Sequence, residues 1–142
     1  MARDDKLTHL AKVPLFAHLK GKELKRVGQL ADEVSVAAGK TLARKGRIGH
    51  EFFVVLDGSV KVTNGRTLIG TLGPGGFFGE ISLVDGRPRV ATVTAAEPTR
   101  LVVIAHREFH ALMDEFPKVR AAVLDAVVER LRGLEEAAGT ST

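Results

Sequence analysis

Residues 74–93 read PGGFFGEISLVDGRPRVATV and combine a glycine-rich turn with the carboxylate of Glu80 and the guanidinium of Arg89. Glycines let the backbone take unusual φ and ψ values, so that its N–H groups can approach a ligand closely. Three kinds of group bind an anion that also carries hydroxyls: backbone N–H donors, a guanidinium and an acceptor for the hydroxyl. The stretch therefore predicts a loop that binds a small anion such as a sugar phosphate.

Short strand-like segments separated by turn residues surround this loop, from Glu33 to Ala105. Asn64-Gly65 predicts a hairpin with a type I′ turn, because such a turn needs positive φ at both central positions. Many short antiparallel strands joined by glycine turns predict a jelly-roll-like antiparallel β-roll over this part of the chain.

Helical periodicity is present at both ends of the chain. Asp4 or Asp5 is predicted to cap a short first helix, and a second helix follows over about residues 21–32. After the strands, His106 begins one predicted helix, and Pro117 suits the first turn of another. The sequence predicts an α+β fold and a single domain that spans residues 1–142. N-terminal helices precede a β-roll at about 33–105, and a C-terminal helix pair follows at about 106–137.

The last predicted helix is apolar over a wide face. One stripe contains Val119, Val123, Val127, Leu131 and Leu134, with Leu124 and Val128 beside it. A face this wide often makes two separate contacts. One would be with the β-roll, and the other with a second copy of the chain or with an effector protein. Docking onto the chain's own domain alone is the alternative.

The composition favours a cytoplasmic protein. The 142 residues include no cysteine, which excludes disulfides and thiolate metal sites. No apolar run approaches the ~20 residues of a membrane span, and residues 1–12 are too polar for a signal peptide. The net charge of +4 permits an anionic ligand, but the basic residues are scattered and tryptophan and tyrosine are absent. We therefore expect neither a membrane nor a nucleic-acid partner.

Motifs for other kinds of site are incomplete. The glycines of residues 73–79 do not match G-x-G-x-x-G, and the lysine of a P-loop is missing. His106 and His110 share a helix face, but no third ligand is evident, so no metal site is predicted. Ser59 and Ser82 have no recognisable histidine and acid partners. We expect no catalytic residue, no enzymatic activity and no cofactor.

The spacing within the loop is specific enough to name a family. Gly79-Glu80 is followed, nine residues after the glutamate, by Arg89-Val-Ala-Thr-Val93. This pattern resembles the phosphate-binding cassette of cyclic nucleotide-binding domains, which occur in the cAMP receptor protein family, protein kinase A regulatory subunits and cyclic nucleotide-gated channels. Weaker similarity extends through Pro14-Leu-Phe, Lys45-Gly46 and the stretch FFVVLDGSVKV of residues 52–62.

The resemblance implies a role for each residue of the loop. Glu80 would contact the ribose and Arg89 the phosphate. A hydroxyl on the residue after the arginine is associated with cGMP, and Val90 has none, so the resemblance favours cAMP over cGMP. Arg130 and Arg132 of the last helix are candidates for contacts to the purine base. The complete predicted binding set is Phe78, Gly79, Glu80, Ile81, Ser82, Arg89, Val90 and Ala91.

The resemblance also implies a regulatory sensor without a catalytic or DNA-binding module. DNA-binding members of the family carry a helix-turn-helix after the long helix, and here the sequence ends at Thr142. Two alternatives stay open. The chain can be a fragment of a longer cAMP-responsive transcription factor or effector. It can also be an interaction module that has lost the ligand, with Glu80 and Arg89 forming only a surface salt bridge.

Overall fold

The computed structural model describes the backbone of residues 2–139 and the side chains of residues 6–133. Two four-stranded antiparallel sheets form a β-roll, and helices flank it on both sides in sequence, which confirms the predicted α+β fold. The strands are β1 (Asp32–Val36), β2 (Thr41–Ala43), β3 (Glu51–Asp57), β4 (Val60–Asn64), β5 (Thr67–Leu72), β6 (Phe77–Phe78), β7 (Thr92–Ala95) and β8 (Thr99–Ala105). The helices are α1 (Ala2–Ala11), α2 (Lys22–Leu30), α3 (Glu80–Asp85), α4 (His106–Glu115) and α5 (Pro117–Gly139), with a 3₁₀ turn at Pro14–Phe16.

Strand β3 lies inside the first sheet, whose order is β1-β8-β3-β6, and it separates two hydrophobic cores. Successive side chains of a strand point to opposite faces of its sheet. Phe52 and Val54 pack in the core that contains the helices, whereas Phe53 and Val55 pack inside the roll. All four are buried. The second sheet, β2-β7-β4-β5, forms the opposite wall of the roll.

The β4–β5 hairpin forms where it was predicted, but the type of its turn was predicted wrongly. Asn64 pairs with Thr67, so Gly65 and Arg66 are the central residues of the turn. Gly65 has a φ of +63°, and no described non-glycine residue has a positive φ. A positive φ at the first central position alone belongs to a type II′ turn. Asn64 is a strand residue because pairing along the sheet sets the register.

The N-terminal helices dock against the C-terminal ones. Helix α1 begins at Ala2, so Asp4 and Asp5 lie within it and the prediction that one of them is its N-cap was wrong. Between α2 and α4, two guanidinium nitrogens of Arg26 donate to the two carboxylate oxygens of Glu115, each at 2.8 Å.

Helix α5 begins at Pro117, as predicted, and its wide apolar face divides into two stripes. The buried stripe contains Val119, Val123 and Val127, which pack in the helical core. The second stripe stays exposed, with exposed fractions of 42% for Leu124 and 50% for Val128, and Leu131, which was predicted on the first stripe, is exposed with it at 39%. The side chain of Leu134 lies outside the described residues. Within the described part of the chain, no helix is both long and apolar enough to cross a membrane.

Candidate functional site

A cavity of about 560 Å³ lies between the second sheet, the α3 segment and the last helix. Cavities of roughly 300–1,000 Å³ are typical of sites for small ligands. Of the residues predicted from sequence, the cavity wall contains Phe78, Gly79, Glu80, Ile81, Ser82, Arg89, Val90, Ala91 and Arg130. Arg132 is exposed and is not part of the wall, so of the two arginines predicted to contact a base only Arg130 lines the cavity.

Arg89 is held in place by the loop that follows β2. Its backbone N–H donates to the carbonyl of Arg47 at 2.7 Å, and its carbonyl accepts from the N–H of Gly46 at 2.9 Å. Its guanidinium donates through Nη2 to the carbonyl of Glu51 at 3.0 Å, and Cζ lies 5.9 Å from the ring centroid of Phe53. The loop and β3 therefore fix both the backbone and the side chain of Arg89.

Two glycines make room for this arginine. A Cβ atom at Gly49 would lie 2.4 Å from Cζ of Arg89 and 2.6 Å from its Nε. Gly79 has a φ of +96°, and a Cβ there would lie 2.6 Å from the carbonyl oxygen of Glu51. Gly49 was missed by sequence reasoning because nothing in its local pattern shows that the guanidinium lies against it.

Among the described residues, no opposite charge directly contacts the guanidinium of Arg89. Arg89 is only 9% exposed. Burial lowers the pKa of the guanidinium, while the more distant carboxylates of Glu51 and Glu80 act in the opposite direction. The ion pairs among the described side chains are formed by other residues. A buried cation of this kind is stabilised by an anion that enters the cavity.

Glu80, the first residue of α3, is 1% exposed, and only one of its carboxylate oxygens has a partner among the described residues. Oε1 accepts a hydrogen bond from Nη1 of Arg130. Oε2 has no hydrogen-bond partner among the described atoms. Since an unsatisfied buried acceptor costs about 1–3 kcal/mol, or more when it is charged, this oxygen is ready to accept a donor from a ligand.

Arg130 joins α5 to the segment that contains Glu80. Besides its bond to Glu80, it donates through Nη2 to the carbonyl of Phe77 at 2.6 Å, and its Cζ lies 5.1 Å from the ring centroid of Phe77. The role of Arg130 as a partner of Glu80 was not predicted from the sequence, because fifty residues separate the two in the chain.

The remaining wall is largely apolar and comes from the second sheet. Val62, Ile69 and Leu72 of β4 and β5 line it, and the hydroxyl residues Thr67 and Thr71 lie on the same hairpin. Sequence reasoning identified these strands but did not assign them to the site. The residues around the cavity thus combine a buried cation, a carboxylate with one oxygen unpartnered among the described atoms, and an apolar wall, which suits a ligand with an anionic group, a hydroxyl and a flat apolar part.

Comparison with known proteins agrees with the geometry of the cavity. The family model of the cyclic nucleotide-binding domain matches residues 33–116. A cyclic nucleotide-gated potassium channel of Mesorhizobium japonicum is 35% identical over 121 residues, which cover 85% of this chain and 34% of the channel. Among solved structures, the regulatory domain of Toxoplasma gondii PKA with cAMP has 28% identity and a TM-score of 0.65, covering 78% of this chain and 44% of that one. The catabolite activator protein of Thermus thermophilus has 27% identity and a TM-score of 0.76, covering 89% and 62%.

The match accounts for only part of each larger relative. The chain spans about a third of the length of the channel relatives and 22% of a cAMP-dependent protein kinase regulatory subunit from Mycosarcoma maydis.

Proposed function

The chain belongs to the cyclic nucleotide-binding domain family, and on this premise we propose that its cavity binds cAMP in preference to cGMP and that it acts as a sensor rather than as a catalyst. One observation supports this most strongly: Arg89 and Glu80 line the same cavity, and Oε2 of Glu80 has no described hydrogen-bond partner. An anionic sugar is a ligand that can satisfy both groups together.

In this proposal Arg89 binds the cyclic phosphate. A guanidinium presents its donors in a planar fork that matches phosphate oxygens, and the pairing is stronger where water is excluded. The fixed position of Arg89 reduces the conformational entropy lost on binding. Backbone groups of Gly79, Ile81, Ser82 and Ala91 would complete the contacts to the phosphate, and Phe78 would close the inner wall.

Glu80 would accept a hydrogen bond from the ribose 2′-hydroxyl. A carboxylate repels a phosphate but readily accepts a hydrogen bond from a hydroxyl. Its Oε1 is already bound by Arg130, so Oε2 is the atom that remains for the ligand. Under this proposal, the ribose bond adds to the bond from Arg130 instead of replacing it.

The preference for cAMP is supported by two observations. Val90 lines the cavity and has no hydroxyl to offer to a guanine. The regulatory domain of Toxoplasma gondii PKA, which is similar to this chain, was solved with cAMP. Of the two candidate base contacts, Arg130 lies on the cavity wall, and the proposal for a base contact therefore depends on Arg130 rather than on Arg132.

The signal would leave the site through helix α5. Arg130 connects this helix to Glu80 and Phe77, so a ligand that tightens the segment around Glu80 also changes the restraint on α5. A ligand shifts such an equilibrium only if it prefers one arrangement. The exposed stripe of Leu124, Val128 and Leu131 is the surface that a second copy or an effector would cover. Amide hydrogen exchange of α5 should slow when cAMP is added, and identical exchange with and without cAMP would exclude this relay.

Calorimetric titration tests the binding proposal. We expect cAMP to bind with a stoichiometry of one and cGMP to bind more weakly. Arg89→Gln should lower the affinity for cAMP by about 2–4 kcal/mol, roughly 30- to 1,000-fold. Arg87→Gln is the matched control, because Arg87 is exposed and outside the cavity wall, and it should bind like the original protein. Equal affinity of the Arg89 variant and the control would refute the role of Arg89. Failure of the unmodified protein to bind millimolar cAMP would instead favour an interaction module that has lost the ligand.

A further inference from the structure

A pair of histidines at the start of α4 lies outside the cavity and has no role in the proposed function. His106 is the first residue of the helix and His110 follows one turn later. Their Nε2 atoms are 3.2 Å apart, both side chains are exposed, and their rings are nearly perpendicular, at 81°. Two imidazoles at this distance share a hydrogen bond, in which one ring donates and the other accepts.

The same distance suits chelation of a metal ion. We propose that His106 and His110 form a two-ligand site for a late first-row divalent ion such as Zn²⁺, Ni²⁺ or Cu²⁺. Metal–nitrogen distances are about 2.0–2.1 Å, so two nitrogens 3.2 Å apart subtend an angle of about 100° at the metal. That angle lies between the ideal values of about 90° for octahedral and about 109° for tetrahedral coordination. Spacing alone argued against a metal because a third protein ligand was missing, whereas the observed distance allows a chelate of two.

The surroundings hold the two rings in position. His110 contacts the ring of Phe109 at 5.8 Å between centroids, and Phe109 is fully buried, so it provides a fixed surface for the imidazole. Asp114 follows His110 by four residues and adds a negative charge to the same helix face. In the described part of the chain, no group of three or more metal-binding side chains is close enough to hold an ion together. Water would therefore fill the other coordination positions, and the affinity would be moderate.

Titration with zinc chloride at pH 7.5 in a buffer that does not bind metals tests this site, on the untagged chain. We expect one Zn²⁺ to bind per chain, and His106→Ala and His110→Ala each to weaken binding at least tenfold. His50→Ala is the matched control, because His50 is also exposed but lies in another part of the chain, and it should bind Zn²⁺ like the original protein. Equal binding by all four proteins, or no binding at millimolar Zn²⁺, would overturn the proposal.

A spectroscopic measurement separates chelation from loss of structure in the variants. With one equivalent of Cu²⁺, electron paramagnetic resonance of the original protein should show two imidazole nitrogens on the metal. Each single variant should show one at most, while its circular dichroism stays unchanged. Coordination by a single nitrogen in the original protein would contradict the chelate. The outcome does not depend on cyclic nucleotide binding, since no residue of the pair lines the cavity.

Discussion

Replacing Arg130 by methionine should destabilise the fold far more than the same change at Arg132. Arg130→Met keeps most of the apolar stem but removes the donors to Glu80 and to the carbonyl of Phe77. It leaves the Glu80 carboxylate, which is 1% exposed, without any described partner. Arg132 is exposed on the same helix. Its substitution is therefore the control that measures how far the loss of any arginine from α5 changes the free energy of unfolding.

The magnitude follows from burial. Removing one partner of a buried ion pair costs about 3–5 kcal/mol. The Arg130 side chain is 34% exposed, so water already weakens the pair, and we expect a loss of about 2–3 kcal/mol in the free energy of unfolding. For a domain of this size this corresponds to a decrease of about 6–12 °C in Tm. Arg132→Met should change the free energy by less than about 0.5 kcal/mol.

Urea unfolding followed by circular dichroism measures the loss in the free energy of unfolding for both variants. The comparison requires that the free energy falls with urea concentration at the same slope in all variants. A double-mutant cycle with Glu80→Gln isolates the pair itself, and we expect a coupling energy of at least about 1 kcal/mol. If Arg130→Met is no more destabilising than Arg132→Met, the connection between α5 and the α3 segment makes no contribution to stability and the proposed relay loses its basis.

Two further predictions concern Gly49 and the Arg26–Glu115 pair. A Cβ at Gly49 would lie 2.4 Å from Cζ of Arg89, so Gly49→Ala should weaken cAMP binding at least about tenfold in a calorimetric titration. Gly73→Ala is the control, because a Cβ at Gly73 meets nothing within 4 Å, and it should leave the affinity nearly unchanged. Equal affinities of the two variants would contradict the packing role of Gly49. The hydrogen bond from Arg26 is the main cause of a lowered pKa of Glu115. A carboxyl whose pKa is lower in the folded state than in the unfolded state stabilises the fold above its unfolded-state pKa. This stabilisation is lost as the pH falls through the folded-state pKa. Arg26→Gln should therefore raise the pKa of Glu115 in an NMR titration. The difference in Tm between this variant and the original protein should shrink towards acid pH. An unchanged pKa of Glu115 would show that the pair does not persist in solution.

Most of the predicted site residues that the structure places on one cavity wall are close to each other in the chain. Gly79, Glu80 and Arg89 lie within one loop, and their spacing is enough to predict a common cavity wall. The partner of Glu80 is different, because Arg130 comes from a helix fifty residues later and meets it only through tertiary packing. Gly49 was missed for the same reason, since its lack of a side chain matters only against the guanidinium of Arg89.

Local patterns also failed where pairing or packing competed with them. Asn64-Gly65 favours a type I′ turn, but the register of β4 against its neighbours makes Asn64 a strand residue and moves the turn by one position. For α5, periodicity predicted a wide apolar face, but it could not tell which stripe would be buried. Val123 is fully buried and Val128 is half exposed, although both are valines on the same wide face.

The central claim is that Oε2 of Glu80 and the guanidinium of Arg89 bind two parts of one cyclic nucleotide. Calorimetric titration of the unmodified protein with cAMP and with 2′-deoxy-cAMP tests it most directly, because the two ligands differ only in the hydroxyl assigned to Glu80. A hydrogen bond to a charged group contributes about 1.5–3 kcal/mol, so the deoxy ligand should bind roughly 10- to 150-fold more weakly. Equal affinity for the two ligands, or no binding of either at millimolar concentration, would contradict the claim.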